Sequence, residues 1–372
     1  MKILVDATTW APGRTGVGLY TERLLRAWLA LGQDELILAT NKHAHEFADV
    51  KTPHVGPRFP IRAAWMQTAL AVQAARLRPD ALFCPNYMAP ISLALQVPKI
   101  PYVLTVHDLA IFLYPETFTF KKRVLQKLLL PTLVRGAAAI LTPSETTRQD
   151  LLRLMPVPPE RVVTVPLAAD ERFNTPPSPE LIAQERAHLK LPQHFLLAVG
   201  TLEPRKNLVR LIEAFERMAP QRPDIHLVLA GGRGWLDDGI ARTLNSSPLK
   251  NRILPVGYVS PEALRVLYHE ALACCYPSLY EGFGLPVVEA MASGTPVLTS
   301  RGSSLDEVAA GAALAVDALA VDEMAHEIGR LCDDADLRAD LRTRGLARAR
   351  ELSWQRTAEE TRAVFLRVTQ RV

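Results

Sequence analysis

One stretch, residues 276–297, constrains the fold of this 372-residue chain more than any other; it reads YPSLYEGFGLPVVEAMASGTPV. The apolar run that leads into it, residues 271–276, is typical of a buried parallel strand, and residues 277–284 have the composition of a turn. A helix is predicted to begin near Pro286, because proline suits a first helical turn, and to end at Gly294. The pattern therefore predicts a strand, a turn and a helix of an α/β domain.

Two carboxylates and a set of backbone donors come together at the start of this helix. The predicted donors are the backbone N–H groups of Gly282, Phe283, Gly284 and Leu285. They lie at the positive end of the helix, which is suited to binding a phosphate. Glu281 lies in the turn and Glu289 about one helical turn inside, so the two acids are expected to flank that phosphate. Acids beside a diphosphate indicate recognition of hydroxyl groups.

The whole string resembles the donor-site signature of the family-4 retaining glycosyltransferases, in which two glutamates separated by seven residues surround a sugar nucleotide. The resemblance implies that Glu281 contacts the hydroxyls of the transferred sugar, that Glu289 binds the nucleotide ribose, and that the amides of residues 282–285 hold the diphosphate. It also implies the GT-B architecture, an α/β fold of two Rossmann-like doubly wound domains facing a central cleft. Taken by its spacing only, the pattern is also compatible with an ordinary strand, turn and helix with solvated acids.

A second loop carries two cations in a similar position. Residues 195–200, FLLAVG, read as a strand, and TLEPRKN follows before a helical pattern. In the family this loop delivers positive charge to the donor diphosphate, so the resemblance assigns Arg205 and Lys206 both to donor binding and to catalysis. Many members have an arginine directly after the glycine, where this chain has Thr201. A solvated cationic pair before a helix is the alternative.

A glycine-rich loop follows the first predicted strand, residues 2–7. It contains Gly13, Gly16 and Gly18, and glycines allow a backbone to approach a diphosphate closely. Gly16 resembles the donor-binding glycine that faces the phosphates across the cleft in the family; the same loop could equally be a plain turn. The spacing is not GxGxxG and no GxxxxGK[ST] sequence occurs, so neither NAD binding nor P-loop chemistry is supported.

A histidine and an aspartate follow the predicted strand at residues 101–106. Functional groups in open α/β sheets gather at the carboxyl ends of strands, so His107 is well placed to point into a cleft. The resemblance implies that His107 is a catalytic residue near the transferred sugar and the acceptor, although a lone histidine here is otherwise a structural residue. Asp108 is expected to orient a backbone turn or His107.

Composition narrows the function further. No stretch of about 18 uncharged apolar residues and no charged-then-apolar leader occurs, so a cytoplasmic protein is expected. The four cysteines form no CxxC pair and no metal-like cluster with histidines, which predicts buried thiols in a reduced compartment, no metal and no cofactor besides the nucleotide-sugar substrate. Aromatic residues are 6% of the chain, and nucleic-acid binding is not predicted.

Prolines mark the predicted domain boundary. They crowd residues 156–179, and a hinge is predicted near residues 172–185. The predicted division is an acceptor-side Rossmann-like domain at 1–175, a donor-binding Rossmann-like domain at 185–352, and a terminal helix at 353–372 that by the resemblance crosses back onto the first domain.

The net positive charge is concentrated in the first half of the chain. Residues 1–172 contain 20 Lys and Arg against 14 Asp and Glu, a net of +6, and the remainder accounts for −2 of the total of +4. Within it, residues 118–135 carry basic side chains beside leucines, as a helix that touches an anionic membrane would. The basic residues are Lys121, Lys122, Arg123 and Lys127. Peripheral contact at the inner face of the plasma membrane is one hypothesis, and a solvated amphipathic helix packed on the first domain is the other.

These patterns lead to one expected function and two alternatives. The expected function is that of a retaining hexosyltransferase that moves a sugar from a nucleotide sugar to a saccharide or a polyprenyl-diphosphate-linked acceptor, in cell-surface polysaccharide or glycolipid synthesis. The segments TLEPRKN and HDLAIFLYPE resemble those of bacterial mannosyl- and rhamnosyltransferase-like members, which makes GDP-mannose the leading donor. UDP- and dTDP-linked sugars are the alternative donors. The alternatives are a GT-B sugar-nucleotide epimerase and a non-catalytic sugar-nucleotide-binding partner of a membrane assembly.

Overall fold

The computed structural model describes residues 1–10, 16–41, 54–55, 61–97, 99–232, 234 and 238–370. The chain divides into two compact units. The first combines Met1–Phe112, Phe120–Leu167 and Ser353–Val372. The second combines Leu113–Thr119 and Ala168–Leu352. Each unit is built around one parallel β-sheet with helices between successive strands.

The strands of the first unit are β1 (Lys2–Asp6), β2 (Glu35–Ala39), β3 (His54–Val55), β4 (Ala81–Cys84), β5 (Tyr102–Thr105), β6 (Ala139–Thr142) and β7 (Val162–Thr164). Those of the second are β8 (His194–Val199), β9 (Ile225–Ala230), β10 (Ile253–Gly257), β11 (Ala273–Tyr276), β12 (Val297–Ser300) and β13 (Leu314–Val316).

The helices, in chain order, are α1 (Val17–Leu31), α2 (Arg62–Trp65), α3 (Ala71–Leu77), α4 (Ile91–Ala94), α5 (Ala110–Leu113), α6 (Phe120–Gly136), α7 (Glu145–Leu154), α8 (Pro179–Leu189), α9 (Leu208–Met218), α10 (Asp238–Ser246), α11 (Pro261–Glu270), α12 (Leu285–Ala292), α13 (Ser304–Ala309), α14 (Val321–Asp333), α15 (Ala335–Arg350) and α16 (Trp354–Thr369). None of the described helices has the length and apolar character that a membrane span requires.

The strand orders identify both sheets as doubly wound. In the described residues the first sheet has the order β3-β2-β1-β4-β5-β6-β7 and the second β10-β9-β8-β11-β12-β13. Their strands pair in parallel, for example β8 with β9 from His194 opposite Ile225 to Val199 opposite Ala230. The order reverses between β1 and β4 and between β8 and β11. Ligands of such sheets bind outside the carboxyl ends of the strands at these switch points.

The sequence explains these elements through burial. Strands β4, β5 and β11 are short apolar runs with every residue buried, as expected for parallel strands covered by helices on both faces. Helix α9 buries a stripe that includes Leu208, Leu211 and Phe215, spaced three and four residues apart. These side chains contribute to the core of the second unit.

The strand, turn and helix predicted over residues 276–297 are confirmed. Strand β11 ends at Tyr276, α12 begins at Leu285 with Pro286 in its first turn, and Gly294 lies just beyond the helix end with φ of 74°. The left-handed backbone at this glycine is what stops the helix. The preceding strand is two residues shorter than the apolar run that predicted it, beginning at Ala273.

The predicted linker near residues 172–185 is instead folded. The division between the units falls earlier, between Leu167 and Ala168, so the prolines at residues 156–166 belong to the first unit and the predicted linker belongs to the second. It contains a 3₁₀ turn and the start of α8, where Ser178 Oγ accepts a hydrogen bond from the Leu181 amide at 3.3 Å. Clustered prolines predicted a linker, but Pro179 occupies the first helical turn, where proline is well tolerated.

The last helix, α16, packs in the first unit. Its Phe365 is fully buried, with its ring centroid 5.0 Å from Trp28 and 5.4 Å from Phe83. The Arg362 Nε donates to the buried carboxylate of Asp34 at 2.7 Å, which also accepts from Trp28 Nε1 at 3.0 Å. Aromatic packing and an ion pair therefore attach the end of the chain to its beginning.

We expect Phe365→Ala to destabilise the first unit by about 3–5 kcal/mol, because it removes a fully buried ring and leaves a cavity against two other aromatic side chains. Gln355→Ala, at an exposed site on the same helix, is the matched control and should change stability by less than about 0.5 kcal/mol. Urea unfolding followed by tryptophan fluorescence measures both. Equal stability of the two variants would contradict this account of how α16 is attached.

Candidate functional site

Two loops of the second unit lie side by side at the switch point of its sheet. One follows β8 and contains a 3₁₀ turn at Pro204–Lys206; the other follows β11. The Leu279 amide donates to the Arg205 carbonyl at 2.9 Å, and Asn207 Nδ2 donates to the carbonyls of Pro277 at 3.0 Å and Ala318 at 2.6 Å. These bonds fix the two loops to each other, so their side chains meet at defined positions.

The carboxylate of Glu281 lies where the two loops contact each other. Its Oε2 accepts from Arg205 Nη1 at 2.7 Å, and its Oε1 accepts from Lys206 Nζ at 2.6 Å and from Tyr276 Oη at 3.1 Å. The residue is only 8% exposed. Cations from one loop therefore hold a buried acid of the other.

The charge state of Glu281 follows from those contacts. Burial raises the pKa of a carboxyl group, but here the adjacent Arg205 and Lys206 outweigh it and lower the pKa of Glu281 to about 2. The side chain is therefore ionised at neutral pH, when it can accept hydrogen bonds but not donate them.

The two predicted cations have different surroundings. Lys206 Nζ donates to Tyr276 Oη at 2.5 Å and lies 4.8 Å from the centroid of the Tyr276 ring. Arg205 has further contacts with protein oxygens: Nη1 donates to the Tyr280 carbonyl at 2.7 Å and Nη2 to Glu203 Oε1 at 2.8 Å. The guanidinium of Arg205 therefore joins two acids and a backbone carbonyl.

Glu203 and Tyr276 are members of this cluster that the sequence reasoning missed. Glu203 is 3% exposed and pairs with Arg205, and Tyr276 bonds to both Lys206 and Glu281. Both stood in stretches already singled out, TLEPRKN and the end of the predicted strand. The sequence feature that could have identified Glu203 is its place in TLEPRKN, two residues before Arg205.

The turn before α12 depends on a glycine. Gly284 has φ of 99°, and a Cβ built on it would lie 2.2 Å from Leu305 Cδ2, so another residue would be strained and would clash. The Ser304 hydroxyl donates to the Glu281 carbonyl at 2.6 Å and so fixes the other side of the turn. Phe283 is buried, and Gly284 precedes Leu285, the first residue of α12. The residues predicted to donate to a phosphate therefore lie at a helix N-terminus.

Glu289 has surroundings opposite to those of Glu281. It is buried within α12, and its Oε2 accepts from Tyr268 Oη at 3.0 Å. Burial raises its pKa to about 7, with a smaller contribution from the negative charge of Asp170. At neutral pH the two glutamates of the signature therefore differ: Glu281 is ionised, and Glu289 is close to half-protonated.

His107 and Gly16 belong to the first unit. His107 follows β5; its Nε2 lies 2.9 Å from the Pro85 carbonyl and its ring packs edge-on against Tyr20 at 4.6 Å. Burial lowers its pKa below the ordinary histidine value. Asp108 Oδ1 accepts from the Ala110 amide at 3.0 Å and so orients a backbone turn.

Gly16 is the residue before α1 and has φ of 63°, in the left-handed region that favours glycine. Gly13, from the same predicted loop, lies outside the described residues. Across the described parts of the chain, no group of three or more His, Cys, Asp and Glu side chains could hold a metal ion. The cysteines are free thiols; Cys84, Cys274 and Cys275 are buried, and Cys332 is partly exposed.

The raised pKa of Glu289 predicts a pH dependence of stability. An acid whose pKa is about 7 when folded and near 4.5 when unfolded stabilises the fold below pH 4.5 and loses that contribution as pH rises towards 7. Glu289→Gln stays neutral, so its stability relative to the parent should increase over that range, by an amount on the order of 3 kcal/mol. Thermal unfolding between pH 5 and 8 measures the difference; a pH-independent difference would contradict the raised pKa.

The chain was compared with known proteins. Residues 182–348 match the family model "Glycosyl transferases group 1", and residues 14–173 match "Glycosyltransferase Family 4". The O-antigen chain mannosyltransferase B of Escherichia coli is 37% identical over 262 residues, which span 70% of this chain and 68% of that protein. The MMP alpha-(1->4)-mannosyltransferase of Mycolicibacterium hassiacum is 33% identical over 248 residues, spanning 64% and 56%.

Among solved structures, the sucrose-phosphate synthase of Thermosynechococcus elongatus superposes with a TM-score of 0.78 at 21% identity and covers 100% of this chain and 99% of that one. At that identity the likeness shows the fold. Two doubly wound α/β units match it along their whole length, and the glutamates, lysine and glycine turn of the signature lie at the switch point of the second sheet. The chain belongs to the family-4 glycosyltransferases and has their GT-B fold.

Proposed function

We propose that this glycosyltransferase is a retaining mannosyltransferase that transfers mannose from GDP-mannose to a saccharide acceptor during synthesis of a cell-surface polysaccharide. The observation that carries the proposal is the ionised, buried Glu281 held directly beside Lys206. A fixed carboxylate can accept hydrogen bonds from sugar hydroxyls, and the adjacent ammonium can bind a phosphate. The choice of mannose is supported by the names of both relatives, one of which acts in O-antigen chains.

In the proposed donor complex, each group of the site has one part of the nucleotide sugar to bind. Lys206 and the N-terminus of α12, at residues 282–285, hold the diphosphate, where helix amides and an ammonium favour negative charge. Glu281 accepts hydrogen bonds from the mannose hydroxyls. Glu289 binds the ribose hydroxyls.

The proposed chemistry needs neither a nucleophilic side chain nor a metal. The bond between the anomeric carbon and the diphosphate oxygen breaks, the acceptor oxygen bonds to the same face, and the acceptor proton passes to the leaving diphosphate. Charge on the leaving group is stabilised by Lys206 and by the helix amides, so the protein contributes mainly position and electrostatics.

His107 is assigned to the sugar and acceptor side of this reaction. Since a carbonyl only accepts hydrogen bonds, the contact with Pro85 assigns the proton of a neutral ring to Nε2 and leaves Nδ1 as an acceptor. The lowered pKa favours this neutral form at pH 7. The imidazole can therefore accept a hydrogen bond from a sugar hydroxyl without adding charge.

We expect Lys206→Ala to lower kcat for mannosyl transfer by about 100- to 1,000-fold, because it removes a charge that stabilises the leaving diphosphate. Lys250→Ala, at an exposed site of the same unit, is the matched control and should leave kcat unchanged. Release of GDP and formation of glycosylated acceptor are both measured, without added metal. Equal rates of the two variants would refute the role of Lys206.

Other products would point to other functions. A new sugar nucleotide formed without an acceptor would indicate an epimerase. GDP-mannose binding, seen as a thermal shift, with no turnover on any saccharide or lipid-linked acceptor would indicate a non-catalytic binding protein. A shift with a UDP or dTDP sugar instead would change the donor and leave the glycosyltransferase assignment intact.

We also propose that α6 brings the enzyme to an anionic membrane surface at the inner face of the plasma membrane, where a polyprenyl-diphosphate-linked acceptor would be reached. Four large apolar side chains of this helix are exposed: Phe120 by 73%, Val124 by 41%, Leu125 by 52% and Leu128 by 69%. The described basic side chains beside them are Arg123 and Lys127, while those of Lys121 and Lys122 lie outside the described part. Exposed apolar and basic groups on one helix are suited to an anionic bilayer surface.

The membrane proposal predicts sedimentation with anionic liposomes at low salt and release at high salt, since the basic side chains are screened by added ions. The double variant Leu125→Gln and Leu128→Gln should lose most of this binding. Val72→Gln, which removes an apolar side chain 63% exposed on α3, is the matched control and should sediment like the parent. A parent that stays in the supernatant would rule out the contact.

A further inference from the structure

Arg205 contacts protein oxygens on both arms of its guanidinium. Nη1 donates to Glu281 Oε2 and to the Tyr280 carbonyl, each at 2.7 Å, and Nη2 donates to Glu203 Oε1 at 2.8 Å. Its side chain is 13% exposed, as is that of Lys206, so the two cations differ in their partners and not in their burial. The planar fork is therefore held in one orientation by partners from two loops.

Arg205 has more acid partners than Lys206 among the described residues. Glu203 and Glu281 are both buried acids, and Arg205 lies between them, while Lys206 contacts Glu281 on its other oxygen. Arg205 therefore bonds two carboxylates and a backbone carbonyl, whereas Lys206 bonds one carboxylate and the Tyr276 hydroxyl. Lys206 is the cation less engaged by acids, and so the better suited to bind an entering diphosphate.

We propose that Glu203 and Arg205 act together as a positioning pair for Glu281, and that the diphosphate is bound by Lys206 rather than by Arg205. This inference rests on the proposed function, because Glu281 is the residue assigned to the sugar. It revises the expectation that Arg205 is itself a donor-binding and catalytic group. Glu203 becomes a functional residue although it contacts neither Glu281 nor, in this assignment, the donor.

The geometry explains why this task needs an arginine with an acid behind it. A lysine offers donors from a single nitrogen, whereas the guanidinium fork can bond Glu203 on one arm while it bonds Glu281 and a backbone carbonyl on the other. The Arg205 carbonyl also accepts from the Leu279 amide, so main chain and side chain both join the β8 loop to the β11 loop. Movement of Arg205 would therefore move the Glu281 carboxylate.

The proposal separates two kinds of binding. If Arg205 positions Glu281, its loss should disturb recognition of the transferred sugar and leave the binding of a nucleoside diphosphate without sugar unchanged. A direct diphosphate ligand would instead weaken both kinds of binding together.

The test uses the full chain and four variants: Glu203→Gln, Arg205→Lys, the double variant of both, and Lys206→Ala. Calorimetry measures Kd for GDP, and for UDP, dTDP and ADP if GDP does not bind, and kcat is measured from pH 4 to 8. We expect Glu203→Gln and Arg205→Lys to bind the nucleoside diphosphate within about threefold of the parent, and their kcat to fall by about tenfold to 100-fold.

The double variant decides whether the two residues act as one unit. We expect its kcat to be within about threefold of that of Arg205→Lys. If the two residues act only as a pair, replacing either one already removes the function of both, and the second replacement adds no further loss. Lys206→Ala should weaken nucleoside diphosphate binding by tenfold or more. Binding of the nucleoside diphosphate also shows that a variant is folded. If Arg205→Lys does not fold, Glu203→Gln still tests the proposal, because its kcat should fall while its Kd for the nucleoside diphosphate stays unchanged.

Three outcomes would overturn the positioning role. The first is an Arg205→Lys protein that loses diphosphate binding as Lys206→Ala does. The second is a double variant whose losses multiply, and the third is a Glu203→Gln protein with the parent's kcat. Failure of the proposed function is distinguishable, because it appears in the parent protein as absence of binding to every nucleoside diphosphate or as absence of sugar transfer.

Discussion

The structure of the site depends on the ion pairs that Glu281 makes with Arg205 and Lys206. A carboxylate this deeply buried is costly unless cations and hydrogen bonds compensate it, and here three side chains do so at 2.6–3.1 Å. Because the cations come from the loop after β8 and the acid from the loop after β11, the same contacts that keep Glu281 ionised also hold the two loops together. Charge and loop geometry are therefore fixed by one cluster.

The fold supplies the frame for this cluster. Strands β8 and β11 are neighbours at the switch point of a parallel sheet, and ligands of such sheets bind outside the carboxyl ends of the strands at this point. Gly284 allows α12 to begin directly after the second loop, which brings a helix N-terminus close to the acid in sequence. A site for a sugar diphosphate thus needs both the strand order and a turn that only glycine can adopt without strain.

The two glutamates of the signature show how position within one element sets chemistry. Glu281, in the turn, lies beside cations and has a depressed pKa, whereas Glu289, inside α12, is buried, accepts a hydrogen bond from Tyr268 and has a raised pKa. Two acids of identical chemistry therefore suit different partners, one as a fixed acceptor and the other as a group that can donate or accept. Their difference arises from burial and from neighbouring charge.

The sequence by itself determined the α/β class and the strand, turn and helix around residues 276–297, because those features follow from local patterns of apolar, glycine and proline residues. It also predicted Glu281, Glu289 and Lys206 as site residues, through their resemblance to the family's motifs. Only the tertiary structure decided that Glu203 and Tyr276 join the cluster and that Arg205 spans two acids. Arg205 and Lys206 precede Glu281 by 76 and 75 positions in the sequence. They contact it because β11 lies beside β8 in the sheet. The segment at residues 172–185 shows the same limit of the sequence. Prolines predict where a helix begins, but tertiary packing decides to which unit that helix belongs.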